Sequence, residues 1–177
     1  MITEEGALGQ ATFSPCYRYR YSLDRKAVNP PRVAMYDLVT FLMLNPSTAD
    51  ANVNDNTVAK CCVYAGLWGA RNLTVVNAFG FRSTDPDGLR VVDDPIGPDN
   101  NASIMEAVTR SSIVVCAWGK HGRVLNRGKT LTRQLLNEGI QLSYLKLNKD
   151  GSPSHPLYLP LSTMPVPWST AGEYADG

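Results

Sequence analysis

Apolar residues gather in four runs along the chain: Asp37 to Leu44 (DLVTFLML), Asn72 to Ala78 (NLTVVNA), Ser112 to Trp118 (SIVVCAW) and Gln141 to Leu147 (QLSYLKL). All are rich in β-branched and aliphatic residues. Three are continuous rather than alternating, which is the pattern of strands covered on both faces. Between them, Asp55 to Leu67, Asp99 to Arg110 and Val124 to Asn137 have the length of crossover helices. Asn54 or Asp55 can cap the first, Asp99 or Asn100 the second, and Gly139 follows the third where a C-terminal glycine belongs. Strand and helix in alternation predict a parallel sheet built with right-handed crossovers. Tyr17 to Leu23 (YRYRYSL) alternates large aromatics with polar residues, so it predicts an antiparallel edge strand. The expected fold is therefore a three-layer α/β/α domain over residues 1–160, with a mainly parallel four-stranded central sheet plus an N-terminal antiparallel edge strand. Residues 161–177, with Pro165, Pro167 and several small residues, are expected to be a flexible tail.

Composition narrows the class without naming an activity. With 177 residues, 44% of them hydrophobic, the chain can bury one substantial core. The apolar stretch Leu38 to Leu44 is far short of the roughly 20 residues that cross a bilayer, and no membrane partner is expected. Met1 to Gln10 contains Glu4 and Glu5 and has neither a basic nor an apolar signal region, so a cytoplasmic location and a monomer are the default expectations. The four cysteines, Cys16, Cys61, Cys62 and Cys116, contain no C-x-x-C spacing and suggest neither zinc nor a disulfide framework; no cofactor is expected. A net charge of +1 gives no global argument for a nucleic-acid partner. Its distribution is more informative, because Ala107 to Asn137 carries Arg110, Lys120, Arg123, Arg127, Lys129 and Arg133 with no acidic residue between them. That stretch is either a solvated helix face or a patch facing phosphates.

Open α/β sheets bind ligands beyond the C-terminal ends of their strands. The loops there read Asn45-Pro46-Ser47-Thr48-Ala49-Asp50, Asn77-Ala78-Phe79-Gly80-Phe81-Arg82, Trp118-Gly119-Lys120-His121-Gly122, and Gly151-Ser152-Pro153-Ser154-His155-Pro156-Leu157-Tyr158. Each has a plain structural interpretation: Asn45-Pro46-Ser47 is an ordinary turn sequence, Asn77 can bond backbone at a strand end, and Phe79, Phe81 and Trp118 are core aromatics by default. His155 precedes a proline in a loop rather than lying on an apolar face, which favours a working role; His121, between Lys120 and Arg123, suits phosphate or solvent. No P-loop, G-x-G-x-x-G, G-x-S-x-G or H-E-x-x-H occurs, which argues against nucleotide kinases, dinucleotide enzymes, α/β-hydrolases and zincins.

Taken in order, the four loops resemble those of the uracil-DNA glycosylase superfamily and, more closely, the DUF1643 domain family. Leu44-Asn45-Pro46-Ser47 is similar to the water-holding Asn-Pro-Gly version of the first motif, with Ser47 in place of the glycine. Asn77, followed by Phe79, Arg82 and Pro86, is similar to the motif that reads the base edge. Trp118-Gly119 matches the third strand's end, and His155-Pro156-Leu157 matches the loop built around His-Pro with an apolar wedge, though without the Ser-Pro insertion common before the leucine. The resemblance implies a glycosylase that hydrolyses the N-glycosidic bond of uracil or another modified base flipped out of DNA. Such chemistry needs a directed water, a cradle for charge on the departing base and a pocket for the flipped nucleotide. Asn45 would orient the water, with Asp50 or Asp55 as alternative general bases, and His155 would donate to the leaving base. Asn77, Pro46 and Ser47 would contact the base, Phe79 or Tyr64 would stack on it, and Leu157 or Tyr158 would fill the vacated gap. Lys120, His121, Arg123, Arg127 and Arg82 would face the DNA backbone. Two other classes stay open: hydrolysis or transfer at a free nucleoside or nucleotide, and a non-catalytic nucleic-acid- or protein-binding module on the same fold.

Overall fold

The computed structural model describes residues 1–168. A hairpin of β1 (Ile2–Gly6) and β2 (Gly9–Phe13) is followed by β3 (Arg20–Lys26), β4 (Tyr36–Met43), α1 (Asn56–Leu67), β5 (Ala70–Asn77) and α2 (Asn100–Thr109). Then come β6 (Ile113–Cys116), α3 (Arg127–Asn137), β7 (Leu142–Tyr144) and β8 (Val166–Pro167). The strands form one sheet in the order β1-β2-β3-β5-β4-β6-β7-β8. Pairing is parallel from β5 through β4 and β6 to β7 and antiparallel elsewhere.

The expected four-stranded, mainly parallel sheet is thus corrected to a mixed sheet of eight strands. β3 is antiparallel as expected but is not an edge, since β2 covers its outer side. The hairpin escapes an apolar-pattern search because its strands are short, polar and mostly solvent-exposed, with burial confined to Ala11 and Phe13 in β2. At the other margin β8 adds two residues to β7, and Trp168 behind it is buried; residues 169–177 of the expected tail lie outside the described residues.

Strand alternation divides the interior into two cores. Val39, Phe41 and Met43 of β4 face α1 and pack with Val58, Cys61, Tyr64, Ala65 and Trp68, whereas Leu42 and Leu44 face α2 and α3 and pack with Ile104, Val108, Leu131 and Leu135. Continuous apolar runs were therefore a sound sign of strands covered on both faces. Asp55 caps α1, its Oδ1 accepting from Val58 N at 2.8 Å. α3 begins at Arg127 rather than Val124, because Leu125 and Asn126 both take left-handed φ and break the preceding 3-10 turn from the helix. Gly139 ends it at φ +77°, with Ile140 N returning to Leu135 O at 3.0 Å. No helix among the described residues is long and apolar enough to cross a membrane.

Candidate active site

β4 leads to α1 on one face of the sheet and β6 leads to α3 on the other, so their neighbouring C-terminal ends form a topological switch point. A cleft of about 940 Å³ opens there, walled by residues from all four loops singled out by the sequence. Backbone pairing holds the loops together. Ala78 N and Phe79 N donate to the carbonyls of Met43 and Leu44 at 2.8 and 2.9 Å, Ser83 N donates to Pro46 O at 2.9 Å, and Gly119 N donates to Pro153 O at 2.9 Å. Gly119 needs its freedom, having φ +72° at the bend beside His155.

Asn45 lines the cleft half-buried, and its Nδ2 donates to Ser83 O at 2.7 Å and Pro46 O at 3.1 Å. Its amide orientation is thereby set, with Oδ1 left as the acceptor. Asn77 lines the same cleft 1% exposed, with Nδ2 unpartnered among the described residues. His155 Nδ1 accepts from Leu157 N at 3.4 Å, so the neutral ring carries its proton on Nε2. Burial lowers the His155 pKa, opposed by the negative charge of Asp55. Ser47, Asp55, Lys120, His121, Leu157 and Tyr158 complete the part of the lining that the sequence anticipated. Tyr158 is 82% exposed and lies 5.6 Å, centroid to centroid, from the His155 ring.

Other candidates are placed elsewhere. Asp50 does not line the cleft; its Oδ1 accepts from Asn52 N and Val53 N at 2.8 and 3.0 Å, folding its own loop. Phe79 is fully buried in the core under α2 and α3, and Tyr64 is fully buried in the core under α1, so neither offers a face for stacking. Tyr64 instead donates its hydroxyl to Leu159 O and Pro160 O at 3.1 and 2.8 Å, which fixes the chain beyond His155. Pro46 is buried behind the cleft and contributes its carbonyl to Ser83 and Asn45. Arg127 is turned inward, Nε donating to Ala78 O at 2.8 Å and Nη2 to Asn101 Oδ1 at 2.5 Å. Arg82 lies over the Phe13 ring at 5.2 Å, and Arg123 pairs with Asp150 at 3.1 Å. The basic stretch is therefore not one continuous surface: Lys120 and His121 reach the cleft, whereas Arg110 pairs with Glu106 at 3.3 Å on α2.

Arg20 was not anticipated. It lines the cleft yet is 1% exposed, donates Nη1 to Ala49 O at 2.5 Å, and leaves Nε unpartnered among the described residues. Burial brings its pKa down to about 10, opposed chiefly by Asp55. Strict alternation puts Arg20 on the face opposite Leu23. A register shift intervenes: Thr12 pairs with Ser22 but Phe13 pairs with Arg20, so Tyr21 is bulged. Arg20 thus shares the α1 side with Leu23 and Phe13, while Tyr21 turns toward Asp99 at the start of α2.

The fold and cleft define an α/β protein with its candidate site at the switch point of the parallel strands. Residues 20–157 match the family described as protein of unknown function (DUF1643), and the chain belongs to that family. No curated protein and no solved structure matches it.

Proposed function

We propose that the protein is a DNA glycosylase that hydrolyses the N-glycosidic bond of uracil or another modified base turned out of the duplex into this cleft. The observation that carries the proposal is the convergence of Asn45, Asn77 and His155 from three separate loops on one cavity. The motif resemblance to the uracil-DNA glycosylase superfamily supports the same reading.

Asn45, with its amide hydrogens occupied by Ser83 and Pro46 carbonyls, presents Oδ1 to a water and aims it at the anomeric carbon. Asp55, on the same wall, takes up the proton that the water loses, its Oδ1 also capping α1. Nε2–H of neutral His155 donates to the oxygen on which charge grows as the base departs. Asn77 reads the base edge through its free Nδ2. Lys120 and His121 at the rim meet backbone phosphates, and Leu157 and Tyr158 enter the gap left by the flipped nucleotide.

The test is single-turnover incubation with oligonucleotides carrying uracil, hydroxymethyluracil, hypoxanthine and other altered bases, followed by alkaline cleavage. The expected result is base-dependent strand scission that falls by about 10²- to 10³-fold in His155→Ala, the usual effect of removing one donor to developing charge, and falls strongly in Asn45→Ala. Wild-type protein that binds these oligonucleotides but cuts none of them would defeat the proposal.

A further inference from the structure

Three arginines are buried: Arg20 at 1%, Arg25 at 4% and Arg127 at 6% exposure. Arg25 gives Nε to Asn54 Oδ1 at 2.7 Å, Nη1 to Asp24 O at 2.9 Å and Nη2 to the Asp50 carbonyl. Arg127 is held by Ala78 O and Asn101. Arg20 alone of the three keeps a buried, unpartnered Nε, and no carboxylate pairs with it among the described residues. A buried cation in this state is costly unless something brings it negative charge. The second unpartnered donor in the cleft, Asn77 Nδ2, belongs to the strand paired with β3, on the same α1 side of the sheet.

We propose that the floor of the cleft is an oxyanion subsite, in which Arg20 Nε and Asn77 Nδ2 together receive a negatively charged oxygen carried by a planar ring, such as a ring-borne carboxylate. Depth favours a ring substituent over a phosphate. The floor beside Arg20 includes Met43 and Val75, both nearly inaccessible, whereas the exposed cation suited to phosphate, Lys120, stands at the rim. Both side chains are 1% exposed, so burial already restricts their rotamers and little ordering of side chains offsets the gain from the anion. This subsite goes beyond excision and does not depend on whether the cleft breaks a glycosidic bond.

Calorimetric titration of the full chain at neutral pH with uracil, uracil-5-carboxylate and inorganic phosphate tests it without DNA. The carboxylate is expected to bind about tenfold or more tighter than uracil, as charge-assisted hydrogen bonds do. Arg20→Met is expected to erase that preference while uracil binding persists. Equal binding of uracil and its carboxylate by wild-type protein overturns the subsite, whether or not the variant folds. Phosphate that displaces the carboxylate with equal affinity overturns its assignment to a ring-borne group. Because no bond is cleaved here, failure of glycosylase activity leaves this result interpretable on its own.

Discussion

Arg20 and Arg127 are both buried, have no carboxylate partner among the described residues, and stand on opposite sides of the same sheet, yet their donors are met differently. Arg127 ties α3 to the end of β5 and to Asn101 of α2, so its donors replace solvent with protein acceptors. Arg20, which lines the cleft, donates to one carbonyl and leaves its buried Nε unpartnered among the described residues. In the subsite proposed above, a buried arginine is a structural rivet when protein acceptors take both arms of its fork and a receptor when one donor is left unpartnered. Burial alone does not distinguish the two.

The largest effect expected from this contrast is on stability. Arg127→Met should lower unfolding free energy by about 1.5–3 kcal/mol, because it removes the charge-assisted bonds to Ala78 O and Asn101 Oδ1. Arg20→Met should cost less than about 1 kcal/mol, because losing the bond to Ala49 is offset by removing an unpaired buried charge. Urea denaturation of the pair decides the matter, and equal losses would erase the distinction. Next comes Gly122→Ala on the α3 side: its Cβ would stand 2.0 Å from Trp118 Cδ1, so a loss of about 1–3 kcal/mol is expected by thermal unfolding. On the α1 side, Asp55→Ala removes the helix cap and should cost about 1 kcal/mol. The same change should lower the His155 pKa further, as read by NMR titration, because Asp55 is the charge that raises it.

The smallest effect is that of pH. With its pKa depressed by burial below the ordinary imidazole value of about 6.5, His155 binds a proton more readily in the unfolded chain. Its contribution to stability is therefore complete above that value, declines as pH falls below it, and levels off beneath the folded pKa. His155→Gln should show a flatter melting-temperature profile across that acidic window, and an unchanged slope would remove His155 from the account.

β4 and β5 were legible to within two residues, because burial on both faces writes a continuous apolar run into the chain. β1 and β8 carry no such run: one is largely solvated, the other two residues long. Asn45 and Asn77 could be found because they sit at or just beyond strand ends, where this architecture opens, whereas His155 lies well past β7 and was marked by its place before a proline in a loop. Phe79 and Tyr64 were misplaced because an aromatic ring beside a site looks the same in sequence whether it faces the cavity or the core. Arg20 was invisible for a different reason. YRYRYSL has the right period, but a bulge is a matter of pairing with another strand, and no local pattern announces it.

That bulge makes the chemistry of the cleft floor a discrete variable. Inserting one residue in β2 opposite Tyr21 would restore the regular ladder and exchange Arg20 and Tyr21 across the sheet, trading a guanidinium for a phenol in a single indel. Preference at the floor can therefore change by a jump in chain length rather than by gradual substitution. The hairpin strand that sets this phase, β2, lies before residue 20, where the family match begins.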